Sequence, residues 1–195
     1  MEPILPGLAP SSALLLDERG RPDFRDVFGA LVRRSVDVAT AVTRVRLATL
    51  DLSADDLAST QSLRVLVTEL NALTLGSEAR LIQADPRRAP RVALFRSLLE
   101  DGRLEVRSAP LGGWAPDFSV FSTADGPLAV LIGQHWFERP YPHRGPALGS
   151  VHFEDAARLA ARRHAQLWDR AHDVGPAVWN ILSKAERSAA LLGTR

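Results

Sequence analysis

Two spacings, every second residue and every third or fourth, divide the chain into short elements. Phe24, Val27, Phe28, Leu31 and Val32 share one helical face, so a helix is expected over 22–34, opened by Pro22-Asp23. The stretch 36–50 is rich in β-branched residues and alternates loosely through Val38, Val42, Val45 and Leu47, which reads as a strand. Ser53 with Asp56 three residues on has the form of a capping box and predicts a short helix at 53–57; 63–67 follows as a second strand. Val92, Phe95, Leu98 and Leu99 form the stripe of a helix that Asp101-Gly102 closes, and 104–107 alternates as a third strand. The stretch 117–122 alternates cleanly. Ala124-Asp125-Gly126-Pro127 then turns it back into the apolar run 128–132, so these two strands are antiparallel neighbours. A Pro- and Gly-rich loop covers 138–150. A long helix over 153–173 follows, with Ala156, Leu159, Ala160, His164, Leu167, Trp168 and Ala171 on its buried face. A last helix spans 176–192, with Gly193 beyond its end. Residues 1–21, with the apolar run 13–16, read as an arm or a short strand.

Strands interleaved with helices predict an α/β fold with a mixed central sheet. A length of 195 residues, 46% of them apolar, suits one domain over 22–195 with its core at about 35–173. The helices at 22–34 and 176–192 then become terminal extensions whose apolar faces offer surfaces for a homo-oligomer or a protein partner. With no cysteine, disulfides, thiolate metal sites and cysteine nucleophiles are excluded. No secretory leader and no run of membrane-spanning length is legible, so a cytoplasmic protein without membrane association is expected. Charge narrows the partners: 24 basic against 23 acidic residues leave +1, so any nucleic-acid surface has to be local. Every basic residue except Lys184 is arginine, and a mechanism that needs a catalytic lysine has only that one.

Candidate chemistry concentrates where the run 128–132 meets Gly133-Gln134-His135-Trp136-Phe137-Glu138-Arg139-Pro140-Tyr141-Pro142-His143-Arg144. Ligands of α/β proteins bind beyond the carboxyl ends of buried strands, and this cluster begins at such an end. His135 and Glu138 lack the second spaced ligand of a helical zinc motif, and Pro140 and Pro142 forbid a regular helix, so neither metal nor cofactor is implied. Arg139 and Arg144 from the loop, with Arg158 and Arg162 one helical turn apart, could converge on a phosphate; Arg87, Arg88, Arg91 and Arg96 form a second group. The plainer reading of such groups is a solvated, salt-bridged surface. His152 reads as a neighbour of a helix cap, His164 as a core histidine with a hydrogen-bond partner, and His172-Asp173 as a helix-end pair.

The element order from 35 to 173, with strands at 103–108, 117–123 and 127–133 closed by a helix ending in Leu167-Trp168, resembles one phospholipase D-type domain. The resemblance implies that fold, and it implies a His-x-Lys motif near 114–118 and a Gly-Ser-x-Asn after the next strand. The sequence departs at both places. Trp114-Ala115-Pro116-Asp117-Phe118 holds neither a nucleophilic histidine nor a phosphate-binding lysine, and Gly133-Gln134-His135-Trp136 keeps only the glycine. The expected function is therefore a non-catalytic phospholipase D-like binding or regulatory domain, with DNA or another phosphate-containing ligand held by His135, Arg139, Arg144, Arg158 and Arg162. The alternatives are a divergent phosphodiesterase or nuclease using His135 or His143, and a protein-interaction module.

Overall fold

The computed structural model describes residues 14–16, 24–42, 54–68, 89–109, 117–133 and 149–192. At its centre β2 (Asp37–Val42), β3 (Ser62–Val67) and β4 (Leu104–Ser108) lie parallel, Val38 opposite Leu63 and Leu63 opposite Leu104. Their Val, Leu and Ala positions are buried because helices cover these strands. β5 (Phe118–Thr123) adds antiparallel to β2 and turns into β6 (Gly126–Gly133). Gly126 has φ +123° at that hairpin, a region closed to most side chains, which explains the glycine of the expected turn. The run 128–132 thus lies in the strand expected for it.

Beyond β6 stands a strand the hydrophobic pattern did not announce. β7 (Gly149–Phe153) pairs antiparallel with β6 on one side and with β1 (Leu14–Leu16) on the other. His152 therefore sits within a strand rather than beside a helix cap, and its Nε2 lies 2.9 Å from Ser150 Oγ. Glu154 takes φ 56°, a left-handed turn that starts the next helix at Asp155, not at 153. That helix ends at Trp168, five residues earlier than expected, because His172-Asp173 is not a helix end but β8, antiparallel to Arg107 and Ser108 of β4. Residues 54–57 form a turn instead of the predicted helix, and the Asp56 carboxylate accepts from Arg33 Nη1 at 2.6 Å.

The sheet order is β1-β7-β6-β5-β2-β3-β4-β8. Helices α1 (Phe24–Arg34), α2 (Ala89–Glu100) and α4 (Gly175–Leu192) share one hydrophobic cluster with the sheet, through Val27, Leu31, Phe95, Leu98, Val178 and Leu182. The first and last helices thus contribute apolar residues to the core, while Trp179 and Leu191 of α4 stay exposed. Gly102, φ +69°, ends α2 as the sequence requires. Asp173 Oδ1 accepts from Gly175 N at 2.8 Å and starts α4. The second cluster, built on Ala39, Ala41, Phe118, Val120 and Val130, is covered by α3 (Asp155–Trp168) through Ala157, Leu167 and Trp168. Among the described residues α3 is the only helix in that cluster.

Candidate functional site

Because β2, β3, β4 and β6 run in one direction, their carboxyl ends at Val42, Val67, Ser108 and Gly133 share one edge of the sheet with the first residue of β5. Asp117 fixes this edge by accepting Gly133 N at 3.0 Å on its carbonyl, and it is 4% exposed. Just inside lies a buried polar group set. Thr40 Oγ1 donates to the Phe118 carbonyl at 3.1 Å and lies 2.6 Å from Ser119 Oγ. A hydroxyl has one hydrogen, so Ser119 must donate to Thr40. Both side chains are fully buried, and this pairing satisfies them.

His164 closes the set from α3. Its Nε2 lies 3.2 Å from the Thr40 carbonyl, which can only accept, so Nε2 carries the proton. The ring stacks on Trp168, centroids 5.5 Å apart and planes 23° from parallel, while Phe118 meets it edge-on at 6.4 Å. Burial, and then the nearby Arg64 charge, hold its pKa down at about 4, against weaker opposition from the Thr40 carbonyl and Asp37. His164 is thus a neutral core histidine at pH 7, as its place on the buried stripe predicted.

Two arginines frame Trp168 from the sheet. Arg107 lies over the indole at 4.6 Å and donates Nη1 to the Trp168 carbonyl at 3.2 Å, capping the negative end of α3. Arg64 reaches within 6.0 Å of the same ring and grips Asp37 with two hydrogen bonds, 3.1 and 2.7 Å. These guanidinium groups lock the helix to the sheet. Arg107→Ala is expected to lower stability by about 1–2 kcal/mol, read by urea unfolding, with Lys restoring only part of it; an unchanged midpoint would remove Arg107 from this role.

Outward, α3 has a different character. Arg158, Leu159, Arg162, Arg163, Gln166, Asp169 and Arg170 are all exposed, along the helix and its last turn. Leu159, expected on the buried stripe, is 64% exposed. Arg158 Nη1 lies 2.8 Å from Asp155 Oδ1, a pair open to water on both sides.

Of the residues expected to form the site, His135, Arg139, His143 and Arg144 lie outside the described residues, as do Arg87 and Arg88. Arg158 and Arg162 are both on the outer face. Helix α3 starts where Phe153 pairs with Ala129, whereas Gly133 pairs with Gly149 at the other end of β6, about 13 Å away at 3.3 Å per residue. What α3 packs beneath the sheet's carboxyl edge is His164 and Trp168. Arg163, on the same helix as Arg158 and Arg162, and Arg170, in the turn after it, were passed over in the sequence. A hollow of about 380 Å³ beside β4 is lined by Leu99, Leu104, Glu105, Arg107, Pro176 and Trp179, among others. Its polar groups already have partners: Glu105 bridges Arg107 at 3.7 Å, and Trp179 Nε1 donates to Glu100. Among the described residues no group of three His, Asp or Glu could hold a metal ion, and no helix is long and apolar enough to cross a membrane.

No family model matches the chain, and no curated protein does. Among solved structures it is similar to a phospholipase D family member, Nuc from Salmonella typhimurium, at 12% identity and TM-score 0.49, over 83% of this chain and 97% of that one. It is also similar to phosphatidylserine synthase of Haemophilus influenzae Rd KW20, 12% identical with TM-score 0.49, over 92% of this chain and 46% of that one. A third likeness is to an archaeal chromatin protein described as showing a novel mode of DNA binding, 12% identical with TM-score 0.44, over 75% of this chain and 49% of that one. The chain thus spans about half the length of the last two. None of these likenesses assigns a chemistry to this chain.

Proposed function

We propose that this chain is a non-catalytic domain that binds a phosphate-rich polymer, nucleic acid, through the outer face of α3. The observation that carries this reading is the exposed set Arg158, Arg162 and Arg163 on α3, with Arg170 in the turn that follows it. Four arginines stand against two aspartates, Asp155 and Asp169, between 155 and 170. This surface is therefore positive while the whole chain carries only +1. The exposed Arg158–Asp155 pair does not argue against it, since such pairs contribute under about 1 kcal/mol and a phosphate displaces the carboxylate readily. A binding rather than cleaving role is supported at the strand-end edge, where Thr40, Ser119 and His164 are buried and bonded within the fold. The loop residues His135, Arg139 and Arg144 belong to the same proposal as additional phosphate contacts.

Salt dependence tests it. About four phosphate contacts give a slope near −3.6 in log affinity against log salt, hence an affinity loss of about 100-fold between roughly 50 and 200 mM. Fluorescence anisotropy of a labelled duplex is expected to show that slope, and Arg158→Ala or Arg170→Ala to reduce it by about 1 each. Binding indifferent to salt, or unchanged by both substitutions, would overturn the reading.

A further inference from the structure

We infer that α3 enters the major groove of duplex DNA, with Arg162 and Gln166 reading base edges and Leu159 touching thymine methyl groups, while Arg158 and Arg170 hold phosphates on either side. This rests on the nucleic-acid reading above and specifies how the bound polymer is recognised.

The helix's own geometry carries the argument. At 100° per residue, the buried positions Ala157, His164, Leu167 and Trp168 lie within about 100° of one another, which fixes the inward direction. Leu159, Arg162 and Gln166 fall roughly opposite and make the crest. Arg158 falls on one flank and Arg163 on the other, and Arg170 is exposed in the turn that follows. All six are exposed. The crest holds a leucine, an arginine and a glutamine with arginine on both sides, and the exposed carboxylates on the same face are Asp155 and Asp169. Glutamine matches the N6 and N7 edge of adenine, arginine the O6 and N7 edge of guanine, and an apolar side chain the methyl of thymine. The flanking guanidinium groups stand where the two phosphate backbones would run.

Shape agrees with chemistry. A helix of about 10–12 Å diameter fits a groove about 12 Å wide, and α3 is the only helix packed on its side of the sheet among the described residues. From Leu159 to Gln166 the crest rises about 10 Å, the height of about three base pairs at 3.4 Å each. The buried half is held rigidly by His164 on the Thr40 carbonyl and by Arg107 on the Trp168 carbonyl, so the crest is presented in one orientation. Asp155 points the same way and is 96% exposed in its side chain, where it opposes a phosphate and occupies Arg158. Neutralising it is expected to tighten binding.

The experiment selects duplexes from a randomised pool with the full chain, then measures anisotropy on the selected and scrambled sequences. Enrichment of a short motif of about three base pairs per helix is expected. Gln166→Ala and Arg162→Ala should each reduce discrimination at one position by about 5- to 150-fold, the Gln166 change leaving the salt slope as it was. Arg158→Ala and Arg170→Ala should weaken all duplexes alike and lower the slope, while Asp155→Asn should strengthen binding several-fold. All five positions are exposed, and circular dichroism verifies that each variant folds. Salt-dependent binding without enrichment, or with discrimination intact in Gln166→Ala, overturns groove reading and leaves the phosphate-binding proposal standing. Tighter binding to single strands than to duplex overturns it equally. Absence of binding to any nucleic acid at low salt overturns both.

Discussion

Cutting Phe121 back to alanine is expected to remove about 3–5 kcal/mol of folding stability, close to the whole margin of a domain at the weak end of the usual range. Phe121 has no exposed surface and lies on β5 between β2 and β6, with Val38 and Ala129 as its cross-strand partners. Its ring meets Phe28 of α1 edge-on, 5.7 Å between centroids at 69°, so truncation opens a cavity and also breaks an aromatic pair. The register of the β5–β6 ladder shifts directly after it, between Phe121 and Ser122. Urea unfolding measures the loss as a lower midpoint at unchanged slope. Phe121→Leu should cost distinctly less, and Leu191→Ala, 73% exposed on α4, should stay within about 0.5 kcal/mol of the parent. A Phe121→Ala protein within 1 kcal/mol of the parent would show that this core relaxes far more than its packing implies.

The elements legible in the sequence are those whose pattern is set locally. Asp101-Gly102 ends α2 because the chain needs a left-handed residue there, and Gly126 makes the β5–β6 hairpin for the same kind of reason. The β7 strand was hidden because Gly-Ser-Val-His-Phe is short, with only Val151 and Phe153 as strand formers, and directly follows a Pro- and Gly-rich stretch. It is extended because β6 and β1 both offer it backbone partners, one of them more than 130 positions away. The early end of α3 was equally non-local: Asp169, Arg170 and Ala171 would continue a helix, but Arg107 takes the Trp168 carbonyl and β4 takes His172 and Asp173 as a strand. Leu159 misled for a simpler reason, since an apolar residue three positions from Ala156 fits a broad stripe, and only the rotation fixed by His164 and Trp168 turns it outward. For the site, spacing singled out Arg158 and Arg162. It carried no trace of the Thr40–Ser119 pair, which two strands 79 positions apart bring together.

Acidification should weaken the fold through His164. Its pKa in the folded chain is about 4, below the ordinary 6.5, so between those values the unfolded chain holds the extra proton. Stability is therefore complete above pH 6.5 and falls as the pH drops toward 4, by about 3 kcal/mol across the full window at about 1.4 kcal/mol per pH unit. Half or more of that loss falls between pH 6.5 and 5, the interval that urea midpoints at pH 7, 6 and 5 sample. His164→Phe keeps an aromatic ring against Trp168 and Phe118 but removes both the titration and the donor to the Thr40 carbonyl. The variant is expected to be less stable than the parent at pH 7 by about 1–3 kcal/mol, the cost of a buried carbonyl without its partner, and nearly flat from pH 7 to 5. The two proteins should then approach each other in stability as the pH falls. If the variant kept the parent's slope, the acid sensitivity would belong to another group and His164 would not be the neutral anchor of α3. Because the ring sits beneath the helix that carries Arg158, Arg162 and Gln166, nucleic-acid binding measured on the same proteins should fail only where folding fails, since the outward face carries no histidine of its own.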